Sequence, residues 1–420
     1  MGGSFTRGYE PFWRRSHSEI EEAIRSSTIA LDTNAILNLY RMDKTAREEY
    51  LSVLAKVSER IWIPRQVVNE FHKNRISSVS SHVNSLAKKS EAVKDAAGML
   101  NSTLRDFAKL RSLADGRTDE YLAPLNDAIS KILSHVENDV TGFDLNAGKL
   151  TSSDPILERL AVIFDGRVGE EVSAKFLTAA KTEAKRRGDA KIPPGYKDIE
   201  DKGEEGYGDY LIWTEMMNYA KATERDVLFI STDMKEDWVL SQAGFSIGAR
   251  PELVREMRDV AQAGYVHTSL AEFLRRSAIA LSIEVSQDTI EQVKNGERRE
   301  DLERRNKAWN KLHMEIAQLD EVEREVHQGR KELVNMRARQ NMLEERVNHH
   351  RYQLSLLSEH ESEDMRAREA EYGFAQEELA ESVEGFQLAQ YKLNLLEEQR
   401  KKLATRVSSA EREIANQKPL

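Results

Sequence analysis

The chain has no cysteine among its 420 residues, which excludes disulfides, thiolate nucleophiles and cysteine-ligated structural zinc and is in keeping with a reducing, cytoplasmic setting. It has no apolar run of about 18 residues, the length a helix needs to cross a bilayer, so no membrane partner is expected. Positive charge is also in short supply. With 62 Lys and Arg against 72 Asp and Glu, the net charge is −10 at pH 7. No global field draws in nucleic acid, so a polyanion has to be held by a local basic patch or by metal ions. A Walker A sequence, an H-E-x-x-H pair and a dinucleotide glycine fingerprint are all missing.

What is present falls into three regimes. Residues 28–72 and about 207–275 alternate short apolar runs with helical patterns, the signature of βαβ units. In IALDTNAILNLY (29–40) an apolar, strand-like run meets Asp32, and helical spacing then resumes from Ala35. RIWIPRQVVNEF (60–71) reads as a strand, a turn at Pro64 and a helix; DVLFISTD (226–233) reads as a second buried strand ending in an acid. GFSIGARPELVREM (244–257) reads as a strand, a turn through Gly248 and Pro251, and a helix. Between the halves, residues 73–190 show helical spacing with little strand signal, a helical insertion far longer than an ordinary loop. The boundaries expected are an N-terminal segment at 1–27, an α/β domain at 28–284 and an all-helical tail at 285–420.

The tail has no proline from 285 until Pro419. Leu312, Leu319, Val326, Leu333, Gln340, Val347 and Leu354 recur every seventh residue, with Val322, Met336, Leu343 and Leu357 three further on, a coiled-coil seam. A second seam runs through Tyr372, Leu379, Phe386, Leu393, Val407 and Ile414. The two are four residues out of phase across 358–369, which reads either as an antiparallel hairpin turning there or as a stutter in one continuous helix. The similar seam lengths favour the hairpin, and the apolar surface of both seams together favours a homo-oligomer.

Four acids stand where strand or helix ends meet the expected sheet edge: Asp32, Glu70, Asp209 and Asp233. Each has apolar neighbours, and crowded buried carboxylates are costly unless a cation joins them. Mg²⁺ or Mn²⁺ takes such oxygen ligands, and a pair of these ions drives phosphodiester hydrolysis. Asp237 would reach the same site if MKEDW begins a helical turn. Thr33 and Asn34 are suited to orienting Asp32 or a metal-bound water, and Lys73 and Arg75 to holding a phosphate. Asp32, Asp209 and Asp233 are equally suited to capping the helices that follow, and Lys73 and Arg75 to a solvated helix face. GFSIG (244–248) fits the G-x-S-x-G nucleophile elbow, but WVLSQA before it reads as a helix end where the elbow needs a strand.

LDTNAILNLYR (31–41), RIWIPRQVVNEFHKNR (60–75), KIPPGYKD (191–198), YGDYLIW (207–213), FISTDMKEDW (229–238) and GARPEL (248–253) together resemble PIN-like domain nucleases, in particular a bacterial branch with a large helical insertion and a helical tail. The resemblance implies a Rossmann-like α/β/α sandwich with a parallel sheet. It places Asp32, Glu70, Asp209 and Asp233 as the acids that bind Mg²⁺ or Mn²⁺. Asp237 has no counterpart in that quartet, and the tail lies outside the family pattern. Relatives cut RNA as toxins or processing enzymes, others cut structured DNA, and the branch is similar to phage-defence genes. The implied activity is a metal-dependent endonuclease, RNA favoured over DNA, with the tail serving assembly or a protein regulator. The alternatives are a structure-specific or single-strand DNA nuclease, and a non-catalytic scaffold acting through its coiled coil.

Overall fold

A computed structural model describes residue 5 and residues 8–232, 234–243, 245–356 and 362–416. The chain is α/β with a helical tail, and it divides into two compact units, 1–301 and 302–420.

The first unit is built on β1 (Thr28–Leu31), β2 (Val227–Ser231) and β5 (Tyr265–Ser269), which form a parallel sheet in the order β1-β2-β5. Leu31 stands opposite Ile230, and Ser231 opposite Ser269, so all three strands end together along one edge. Every residue of β1 and β2 is buried, as expected for parallel strands covered on both faces. β3 (Val239–Gln242) and β4 (Phe245–Ala249) form a separate antiparallel hairpin. WVLSQA is therefore not a helix end: four residues of which only Val239 is buried carry too little periodicity to separate the two states, and pairing with β4 decides for strand. Ser246 lies within β4 and not on a strand-to-helix elbow; Gly244 lies outside the described residues. The strand expected over RIWIP is reduced to single parallel bridges at Ile61 and Ile63. Adjacent residues there bond different neighbours, Trp62 N to Ile29 O and Ile63 N to Arg167 O, so no ladder extends.

The helices of this unit are α1 (His17–Ser26), α2 (Thr33–Leu37), α3 (Lys44–Lys56), α4 (Arg65–Leu110), α5 (Asp115–Gly142), α6 (Ala147–Leu150), α7 (Pro155–Phe164), α8 (Ala174–Asp189), α9 (Tyr196–Lys202), α10 (Gly208–Thr223), α11 (Pro251–Glu256) and α12 (Leu270–Leu281). Local signals set several of their starts. Ser16 and Glu19 form a reciprocal capping box on α1, and Asp43 caps α3 through Ala46 N at 2.9 Å. The core closes around Trp213, which meets Trp238 and Tyr265 edge to face at 6.1 and 5.0 Å between ring centres.

α13 (Gln287–Ser355) contributes its first turns to this unit, and from Leu302 it belongs to the second, together with α14 (Ser362–Asn416). In the second unit Leu312 packs with Val407 and Ile414, and Val322 and Val326 pack with Leu393 and Leu403. Arg406 pairs with Glu315 at 2.5 Å and Arg330 with Glu397 at 2.6 Å, and Arg346 pairs with Glu378. Rising numbers on one helix meet falling numbers on the other, so the helices are antiparallel. The turn expected over 358–369 falls partly on residues 357–361, which lie outside the described residues, and α14 takes up the chain from Ser362.

Candidate functional site

The carboxyl edge of the sheet, where ligands bind in open α/β folds, brings together residues far apart in sequence. Asp32 follows β1 directly. Its N–H donates to Ile230 O at 2.9 Å, continuing the pairing with β2, and its Oδ1 accepts from Thr33 N at 2.7 Å, capping α2. Oδ2 accepts from the Ser231 hydroxyl at 2.9 Å. Asp32 is thus both a cap and a carboxylate held between two strand ends.

Thr33 Oγ1 donates to Glu70 Oε2 at 2.7 Å, and Gln66 Nε2 donates to Glu70 Oε1 at 2.8 Å. Glu70 is therefore fixed from α2 on one side and from its own helix on the other. α10 begins against it: a Cβ on Gly208 would lie 2.5 Å from Glu70 Oε1, so any larger residue there would displace the Glu70 carboxylate from this position. The next residue is Asp209, whose Oδ2 accepts from Trp238 Nε1 at 3.2 Å and lies 4.0 Å from Lys235 Nζ. Lys235 also pairs with Asp198 at 2.6 Å, and Asp198 pairs with Lys202 at 2.6 Å. Burial would raise the Asp198 carboxyl, but Lys235 and Lys202 outweigh it and hold the group below its ordinary range.

The other residues named from the sequence have varied places. Asn34 is half-buried on α2 beside Thr33, and Lys73 is exposed on α4. Arg75 is engaged by Asp154 at 2.6 Å; Asp154 also accepts from Tyr40 Oη at 2.9 Å and caps α7 through Leu157 N at 2.9 Å. That arrangement ties α4 to α7. Asp237 is fully buried, and its Oδ2 accepts from Gly195 N at 3.0 Å and Lys197 N at 3.4 Å, holding the Pro-Pro-Gly turn. Asp233 follows Thr232 in the chain and lies outside the described residues.

Glu215 belongs to the same region, though no motif in the sequence marks it. It sits on α10, and its carboxylate accepts from Arg65 N and Gln66 N, serving the start of α4 where Pro64 offers no side-chain cap. Burial pushes its carboxyl up to about 7 against the pull of those two amides, with a smaller push from Glu70. The available signal was an acid inside the apolar run LIWTEMM.

The donors at this edge are all oxygens, which suits Mg²⁺ or Mn²⁺ and not softer metals. Among the described residues no three Asp, Glu or His groups converge closely enough to hold an ion. Asp32, Glu70 and Asp209 form a row linked through Thr33 and Gly208.

A model of the PIN-like domain family matches residues 28–253, more than half of the chain. No curated protein and no solved structure gives a significant match. PIN domains are usually nucleases and generally use Mg²⁺ or Mn²⁺. The match begins at the first residue of β1, takes in the whole row from Asp32 to Asp209, and ends within α11, and on that extent the chain belongs to the PIN-like domain family.

Proposed function

We propose that this edge is the active site of a metal-dependent endonuclease that hydrolyses phosphodiester bonds in RNA, an effector of the phage-defence or toxin type. The observation carrying the reading is that Asp32, Glu70 and Asp209, from three elements up to 177 positions apart in the chain, are held in one row by Ser231, Thr33 and the Cβ-free approach of Gly208. Hydroxyl donors fix the carboxylates of Asp32 and Glu70, which costs less reorganisation on ligand binding than free side chains would. On this reading Asp32, Glu70 and Asp209 would supply oxygen ligands to Mg²⁺ or Mn²⁺ and would draw together around the ion, since no three of the described groups converge on one point without it. When bound, the metal lowers the pKa of a water and neutralises charge on the phosphate oxygens. Trp238 and Lys235 hold Asp209 from its other side. RNA is named as the substrate class on the family resemblance.

The test is cleavage of labelled RNA and of single- and double-stranded DNA of matched sequence by the full-length protein, with Mn²⁺ or with EDTA. RNA is expected to be cut only with the metal. Asp32→Asn should lower the rate by roughly a hundredfold or more with an unchanged melting temperature. Preferential cutting of DNA would transfer the assignment to DNA, and cleavage of neither polymer would sink it.

A further inference from the structure

α13 begins over the same strand-end edge. Ser286 N and Oγ donate to Glu49 Oε2 at 2.8 and 3.1 Å, Val293 is fully buried in the core, and Glu297 Oε1 accepts from Ala271 N at 3.0 Å, just beyond β5. One turn later, Glu300 Oε2 accepts from the Thr232 hydroxyl at 3.1 Å, while its Oε1 makes a close ion pair with Arg41. Arg41 Nε also donates to Ser78 Oγ on α4 at 3.2 Å. Thr232 is buried and adjoins Ser231, the residue that holds Asp32.

A single carboxylate therefore joins the exit of β2 to the end of the DTNAILNLYR stretch that opens with Asp32, and Arg41 carries the link on to the helix that holds Glu70. A partly buried ion pair contributes little net stability compared with an apolar pair of the same volume. What it supplies is a fixed relation between the groups it joins. Glu300 lies beyond the residues that match the family, so the family pattern assigns it nothing. We propose that Glu300 is a positioning residue of the nuclease site, holding the exit of β2 through Thr232 and the Asp32 segment through Arg41; the proposal rests on the nuclease reading above.

The test uses the full chain carrying Glu300→Met, Thr232→Val, both together, or Glu300→Gln, which keeps an acceptor for Thr232. Two quantities are read: kcat and KM for Mn²⁺-dependent RNA cleavage, and amide hydrogen exchange in peptides spanning 227–232 and 38–43. Glu300→Met is expected to lower kcat about tenfold, since small misplacements of reacting groups are costly, with KM within about twofold of wild type. Thr232→Val should behave alike, the double variant should be no worse than the worse single one because both cut the same link, and Glu300→Gln should recover most of the loss. Exchange over 227–232 should quicken in the first three variants at an unchanged melting temperature. Values of kcat within about twofold of wild type, additive losses in the double variant, or unchanged exchange would overturn the proposal. Should the wild type cut no nucleic acid, the nuclease reading falls, and with it the catalytic role of Glu300. The exchange data then stand on their own, and unchanged protection would also remove its hold on β2.

Discussion

Glu215 shows how one side chain can be both required and costly. Its carboxyl receives two backbone N–H groups at the start of α4 yet titrates at about 7 because burial dominates. A carboxyl raised above its ordinary value binds more protons in the folded state, so stability should fall as the pH climbs from about 4.5 to about 7 and stay reduced above that. Glu215→Gln keeps an acceptor for the amides and removes the buried charge. Urea unfolding at pH 5 and pH 8 is expected to show the variant gaining on wild type by on the order of 1–3 kcal/mol across that interval; a constant difference would show that burial does not set this titration. Gly208 offers a sharper contrast between stability and function. It lies at the start of α10 with ordinary helical backbone angles, so alanine suits the backbone. Its Cβ would nonetheless sit 2.5 Å from Glu70 Oε1 and push that carboxylate off Gln66 and Thr33. Gly208→Ala should keep its melting temperature and lose about tenfold or more in cleavage, and a fully active variant would show that Glu70 need not stand where it does.

Among the elements, α4 was half legible. Pro64 and the apolar spacing of VVNEF marked a helix near 65, but nothing local showed that it runs 46 residues to Leu110 or that its first amides are capped from α10. The KIPPGYKD stretch was legible only as punctuation. In the structure Gly195 has φ of 84°, and its Cα approaches Asp209 so closely that a Cβ would lie 3.0 Å from Asp209 Cβ. The fully buried Asp237 fixes the turn from below. Gly195→Ala should therefore cost about 1–2 kcal/mol of stability from the left-handed backbone alone, read as a lowered urea midpoint. WVLSQA misled because a four-residue strand in a hairpin away from the main sheet takes its state from its partner β4, not from its own pattern.

For the whole molecule, the compact first unit runs to Asp301, past the point near 285 where the composition changes. Val293 and Ile290 are buried against or beside the core, and burying an aliphatic side chain of that size contributes about 1.5–3 kcal/mol. A chain ending after Asp301 is expected to melt cooperatively, and one ending at 284 to melt several degrees lower; equal melting temperatures would show that the first turns of α13 add nothing to the unit. The sequence by itself determined the α/β core, the acid that follows β1, the family and the heptad seams of the tail, because buried parallel strands, helical spacing and seven-residue repeats are local regularities written in neighbouring positions. Only the tertiary structure decided that Thr33 and Ser231 hold the acids, that Gly208 makes room for Glu70, that Glu215 caps α4, and that Glu300 reaches back 259 positions to Arg41. Those relations depend on which distant segments the packed core brings within a hydrogen bond of each other, and no local pattern records that distance.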